Sequence, residues 1–345
     1  MARRARAHLA RIFPAAPHGG VEGYAFEGAR MTVGTAANCS ITLPEGHAAP
    51  QHARIDRARS GTTARVMPIG NTSVYVDGCM VPSNGADLVD GGLLRIGGVL
   101  LLHRQWTDEE AATASLPPLP GPVNSCHPTV VDGLRRLQAR RHESGTFWVV
   151  GEEGCGRSVV MDHLRALLQE SSGRDWITGG PNLEATLDAP PDATPERTLM
   201  MPPLRDRGED MLVLMSAMNG GQLPMLSIEL VEGLLLYDWP GNIRELRLAM
   251  ARAHDPRFGA GDSERWHLPD FPDVRRFVDE CTGRQDPITL QAPQRELPST
   301  EPEMRRVLDA HWWRIYPLAA ATGRSRADVL GHVFGLGIRE PWRRR

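Results

Sequence analysis

The chain has 345 residues, 41% of them apolar, and 39 basic residues against 42 acids give a net charge of −3. That length supports two or three domains with real cores, and the near-neutral balance excludes a polyelectrolyte that binds nucleic acid along its whole length. Five scattered cysteines without a CxxC pair exclude a disulfide frame and a zinc site, and no run reaches the ~18 apolar residues of a membrane span.

Every basic residue is arginine, since the chain has no lysine. The simplest reading is a compositional bias of the source. The N-terminus, MARRARAHLARIF, is basic but lacks the continuous apolar stretch of a secretion signal. Reduced thiols, a cytoplasmic location and no membrane partner are therefore expected.

Residues 21–106 alternate short apolar segments with Gly, Asn and Pro breaks. ARMTVG (29–34), ARIDR (53–57), TARVMPI (63–69), SVYVDG (73–78) and LLRIGGVLLLHR (93–104) read as strands of a β-sandwich. Residues 107–125, TDEEAATASLPPLPGPVNS, are polar and rich in Ala and Pro, which reads as a linker.

FWVV (147–150) is a short buried-type strand that runs into a Gly-rich loop, GEEGCGRS (151–158). Gly151, Gly154, Gly156, Arg157 and Ser158 follow the phosphate-loop pattern with Arg in the lysine place. From Ser158 to Glu170, apolar residues at 160, 164, 167 and 168 keep helical spacing. Strand, loop and helix in that order are the context the motif requires. Only 44 residues (159–202) separate Ser158 from Pro203 of the block MPPLRDRGED. LEATLDAPPD (183–192) contains Asp188 after a weakly apolar run, but has neither a second acid nor a strand-forming run before it. Ser227 opens a helix over IELVEGLLLY, and Asn242–Ala253 forms another after the Pro240-Gly241 break. Glu152 and Glu153 receive no role.

Residues 257–301 are rich in Pro and charge and read as a second linker, with 262–281 left without an account. Residues 302–338 return to helical pattern in three short pieces. Between 301 and 345 nine arginines face five acids, a local excess of +4 that nucleic-acid contact requires. Ser325 with Asp328 forms a capping box for the last helix. Val329, Val333 and Leu336 give that helix an inward face, with Arg324, Arg326 and His332 outward. Trp312 and Trp313 read as core or dimer contacts.

Three resemblances follow from these blocks. VGTAANCSITLP, QHARI, GNTSVYVDG and LVDGGLLRIGG together resemble a forkhead-associated domain. Such domains bind phosphothreonine on loops between strands, so the resemblance implies a phosphoprotein partner and candidate positions Thr35, His52 and Asn71. A phosphate dianion wants a guanidinium and several donors. Here Thr35 stands where the family has Arg, and Ala49 where it has Ser. His52 matches, and in the family it mainly braces the loop. Retained phosphothreonine binding and a sandwich kept for protein contact both stay open.

GEEGCGRS, MPPLRDRGEDMLVL and WPGNIREL (239–246) resemble the AAA+ domain of sigma-54-dependent transcription activators. The resemblance implies that Gly151, Gly154, Gly156, Arg157, Ser158 and Arg244 are what remains of a nucleotide site. ATP or ADP is then the one cofactor to consider. The metal-binding acids and the loop that touches sigma factor have no counterpart, so no catalytic or metal residue is assigned. Residues 303–338 resemble the Fis-type helix-turn-helix that ends those activators, with Arg324, Ser325, Arg326 and His332 as DNA-facing candidates.

The expected layout is an all-β forkhead-associated-like sandwich at 1–106 and a linker at 107–125. A truncated α/β phosphate-loop core with a helical lid follows at 126–256, then a linker at 257–301. A small all-α helix-turn-helix closes the chain at 302–345. The expected function is DNA-binding transcription regulation without ATP hydrolysis, with sigma-54 RNA polymerase or paralogous activators as partners. A phosphopeptide adaptor and an ATPase with a compressed core are the alternatives.

Overall fold

The structure, a computed structural model, describes residues 5–17, 19–57, 63–119, 121–172, 182–191, 193–255, 265–281, 296–310, 318, 322, 324 and 326–338. Eleven strands build the N-terminal sandwich: β1 (Arg6–Phe13), β2 (Glu22–Ala25), β3 (Arg30–Gly34), β4 (Ile41–Thr42), β5 (Ala53–Arg57), β6 (Ala64–Pro68), β7 (Val74–Val76), β8 (Cys79–Met80), β9 (Ala86–Leu88), β10 (Leu93–Ile96) and β11 (Val99–Trp106). One sheet runs β2-β1-β11-β10-β7-β8 and the other β4-β3-β5-β6-β9. Pairing is antiparallel except between β3 and β4.

Two strand readings change. The segment 93–104 is a hairpin rather than one strand, folded at Gly97-Gly98 so that Ile96 faces Val99. The basic N-terminal stretch is strand β1, paired with both β2 and β11. Alternation explains its place: Ala7 and Leu9 enter the sandwich core, while Ala10 and Ile12 point to the opposite face.

That opposite face is buried too. Leu100, Leu102 and Trp106 of β11 join a core made by the helical region, while Val99 and Leu101 stay inside the sandwich. A strand covered on both sides needs no polar alternate residue, and this accounts for the uninterrupted run VLLL. The helical layer consists of α4 (Met211–Met218), α5 (Ile228–Leu236), α6 (Asn242–His254) and α7 (Pro272–Cys281), around Trp239, Trp266 and Phe271. Ser227 caps α5, its hydroxyl accepting from the Leu230 N–H at 3.2 Å.

The segments read as linkers hold structure. Helix α1 (Asp108–Ala114) begins with a capping box between Thr107 and Glu110, and its Ala114 is fully buried. Within 257–301, Arg265–Trp266 forms strand β16, parallel to β15 (Met225–Leu226). Helix α7 then packs Val274, Phe277 and Val278 onto the same core as α5.

Between these parts lies a three-stranded parallel sheet, ordered β13-β12-β14, from β12 (Thr146–Gly151), β13 (Asn182–Thr186) and β14 (Thr198–Met201). Helices α2 (Pro128–Ala139) and α3 (Arg157–Ser172) complete its own core with Phe147, Val149, Val160 and Leu164. The stretch before Asp188, expected to lack a strand, is β13, and parallel pairing with β12 overrides its weak apolar content. Helices α8 (Glu301–Ala310) and α9 (Arg326–Gly335) share a small separate core of Leu297, Met304, Leu308, Leu318, Val329, Val333 and Ile338. No helix among the described residues is long and apolar enough to cross a membrane.

Candidate functional site

Strand β12 is central, with later strands added on both sides. Its C-terminal end is therefore the point where the chain's order reverses, the place where open α/β sheets form a crevice. Gly151 to Gly156 lie there, between β12 and the N-terminus of α3. Gly154 and Gly156 have φ of +75° and +106°, conformations that favour glycine. A Cβ on Gly154 would also stand 2.5 Å from the Gly241 carbonyl oxygen.

The loop is held from outside by two neighbouring blocks. The Glu152 carboxylate takes both Arg205 amino groups, one at 3.0 Å and one closer. Asn242 donates from Nδ2 to Glu152 at 3.2 Å and to the Glu153 carbonyl at 2.9 Å. The Ile243 N–H donates to the Gly154 carbonyl at 3.1 Å. Arg207 donates to the Cys155 carbonyl. Finally, the Arg244 guanidinium meets the Glu153 carboxylate at 3.0 Å, with both side chains mostly exposed.

Asn242 is the hinge of this arrangement. It is fully buried, sits at φ +53°, and accepts the Leu204 N–H at 2.8 Å through Oδ1. Asn tolerates the left-handed region better than other non-glycine residues. The preceding Trp239 fills the helical core and donates its indole N–H to the Leu234 carbonyl at 2.8 Å.

The RDRGED segment works as a second set of anchors. Arg207 lies 3.5 Å from Asp210, and both are buried. Asp210 accepts from the Ser125 hydroxyl at 2.7 Å and from the Cys126 and His127 N–H groups at 2.8 and 3.1 Å. A carboxylate there meets the positive end of α2. Glu209 pairs with Arg104 of β11 inside the protein. Burial pushes the Arg104 guanidinium down and the Glu209 charge outweighs it, for a net rise above the usual range.

A small cleft adjoins the loop, lined by Val123, Cys155, Gly156, Arg207, Met218 and Ile243 among others. Burial raises the Cys155 thiol pKa despite Arg207 and Arg157 nearby. Gly151, Gly154, Gly156, Arg157 and Ser158 thus come together at one end of α3. Arg244 is brought to the same loop, where it faces Glu153. The cleft has an apolar wall and lies beside the N-terminus of α3. Asp188 is exposed beyond the end of β13.

The acids at 152 and 153, left without a role by sequence, are the loop's main tethers. Arg205, Asn242, Arg207 and Asp210 also escaped assignment. The one signal for them was the density of charge in RDRGED directly before a largely apolar helix.

In the sandwich, Thr35, His52 and Asn71 gather at one edge. His52 accepts the Ala49 N–H through Nδ1 at 3.0 Å, which leaves Nε2 protonated to donate to the Ser73 carbonyl at 3.0 Å. The ring ties two loops together. Gly34 admits this packing, since a Cβ there would fall 2.2 Å from the Pro50 carbonyl oxygen. The Thr72 hydroxyl turns inward to the His52 carbonyl at 2.7 Å. Arg54, on the adjoining strand, turns to Asp56 and Met67.

At the C-terminus Val329 and Val333 are buried and Leu336 packs beside them, as expected. Arg324 is partly buried. Ser325, Trp312, Trp313 and the Arg326 side chain lie outside the described residues. His332, expected to point outward, instead donates from Nε2 to the Pro298 carbonyl at 2.7 Å. The segment before α8 supplies that acceptor, and a partly buried ring in reach of it bonds there.

No family model matches the chain. The nitrogen fixation protein AnfA of Azotobacter vinelandii is 39% identical over 62 residues, which cover 16% of this chain and 12% of that protein. The chain thus spans a small part of that relative's length. Among solved structures, Mycobacterium tuberculosis EmbR in complex with a low-affinity phosphopeptide is 20% identical, covering 29% of this chain and 24% of that one, with a TM-score of 0.25. The forkhead-associated domain of CT664 from Chlamydia trachomatis is 18% identical over 30% of this chain and 99% of that one, with a TM-score of 0.27.

Proposed function

We propose that the chain is a DNA-binding transcription regulator similar to the sigma-54-dependent activators, working without ATP hydrolysis. The observation that carries the reading is the state of the Gly-rich loop. Its carbonyls and both of its acids are engaged by Arg205, Asn242, Ile243 and Arg244 of the same chain. A phosphate-transfer site needs its cations free to follow charge as it develops. Here Arg205 is held by the Glu152 carboxylate, and Arg207 by Asp210 and the Cys155 carbonyl.

The 62-residue likeness to AnfA supports the activator type. The Fis-type sequence pattern and the local excess of arginine support DNA as a partner. Paralogous activators or sigma-54 RNA polymerase are the protein partners this reading suggests. The sandwich contributes one face to the helical core and keeps a braced loop edge for a further protein. ATP or ADP would bind weakly at most, in the cleft beside Cys155.

Two measurements on the full chain test this. Gel-shift titration with genomic fragments should give salt-sensitive complexes weakened by Arg326→Ala. Phosphate release with magnesium and ATP should stay at background. Magnesium-dependent turnover abolished by Arg157→Ala and Arg244→Ala would replace the reading with an ATPase.

A further inference from the structure

We infer that Glu152 and Glu153 form a built-in anionic latch that fixes the Gly-rich loop against the N-terminus of α6, so this joint keeps one geometry without nucleotide. The biological sense of this latch rests on the regulator proposed above.

Helix α6 begins after Gly241, which offers its first turn no side-chain cap. The first turn of any helix carries unpaired N–H groups and partial positive charge. In this protein the loop satisfies one of them, while the Gly241 N–H has the Glu245 carboxylate and the Asn242 N–H the Trp239 carbonyl. The Ile243 N–H has the Gly154 carbonyl, and two carboxylates stand at the positive end, one of them held by Asn242. Charge balance is completed by Arg205 on Glu152 and Arg244 on Glu153.

The two halves differ in strength. Arg205 has a side-chain exposure of 11% and Glu152 one of 42%, so their two-pronged pair is partly shielded from solvent. Glu153 and Arg244 are 75% and 68% exposed, so their pair is weak and exchangeable. Glu152 is therefore the fixed half of the latch and Glu153 the adjustable one. Joining the loop to α6 also joins the parallel sheet to the helical layer, and through Arg104 and Glu209 to the sandwich.

Hydrogen exchange on the full chain reads the latch directly, because local opening sets amide rates. Glu152→Gln should speed exchange at 152–156 and at 242–245 together, by at least about tenfold when a charged hydrogen bond is removed. Glu153→Gln should do the same by only about two- to fivefold. Magnesium and ATP should leave the wild-type rates at both segments unchanged. If Glu152→Gln does not fold, Glu153→Gln and Arg244→Gln carry the same comparison. Unchanged rates at 242–245 in the folded variants, or slowing of the wild-type rates by nucleotide, would overturn the latch. Gel shifts on the same samples separate the two claims: loss of DNA binding with an intact latch sinks only the proposed function.

Discussion

Arg104 and Glu209 form a buried ion pair that crosses the boundary between the sandwich and the helical layer, with side-chain exposures of 7% and 0%. Arg104 also donates to the Asp206 carbonyl at 3.1 Å. The partners lie on β11 and on the segment ahead of α4, more than a hundred positions apart. Around them Leu100, Leu102 and Trp106 meet α4 and α5 in one continuous core. A sandwich docked this way moves with the helices rather than on a tether.

Removing one partner of a buried pair strands the other charge. Arg104→Met should therefore destabilise the protein by about 3–5 kcal/mol, read from urea unfolding. Replacing both, as Arg104→Met with Glu209→Leu, should restore most of that loss, because apolar side chains of similar size suit the site. A double variant as unstable as the single one would show that the pair's own attraction dominates.

His103 precedes Arg104 and is fully buried on the opposite face of β11, 5.7 Å from the Phe26 ring. Burial, with the Arg104 charge alongside, lowers its pKa below the ordinary value. The folded protein thus keeps the ring neutral while the unfolded chain takes a proton below about pH 6.5. Stability is complete above that pH and falls as pH drops toward the lowered folded value, with a slope of at most about 1.4 kcal/mol per unit. Unfolding midpoints at pH 7.5 and 5.5 should differ for the wild type. His103→Leu should flatten that difference, and an unflattened slope would place the titration elsewhere.

Much of the strand and helix pattern could be read from local signals. Ser227 sits before an apolar run, and Val329, Val333 and Leu336 share a helical face; each needs only nearby residues. What escaped depends on distant partners. MARRARAHLARIF gives no strand signal by itself, because its Ala and Leu positions alternate between two different cores. The VLLL run was legible as strand, but the helical cover on its second face was not. Glu152 received no role because Arg205 and Asn242 lie 53 and 90 positions away. The helix within 107–125 was hidden by its Pro-rich flank, although Thr107 and Glu110 carry the capping-box spacing.

Asn242 carries both a conformation and three hydrogen bonds. Asn242→Ala strands the buried Leu204 N–H, at a cost of about 1–3 kcal/mol, and adds about 1–2 kcal/mol of left-handed strain. Asn242→Gly relieves the strain while losing the same bonds, so its thermal midpoint should fall between those of wild type and Asn242→Ala. Equal midpoints for the two variants would remove backbone strain from the account.

The C-terminal unit separates two roles that the sequence had merged. His332 is bonded to the Pro298 carbonyl, so its ring is a strut between α9 and the segment leading into α8. His332→Ala should lower the stability of this unit by about 0.5–1.5 kcal/mol, the net value of one such bond. Arg324→Ala and Arg326→Ala should act differently, weakening DNA complexes and reducing their salt dependence by about one unit of slope for each phosphate no longer neutralised. Gel shifts over a salt series, run beside thermal melts, tell these apart. A His332→Ala variant that melts normally yet loses DNA would return that residue to the DNA-facing surface.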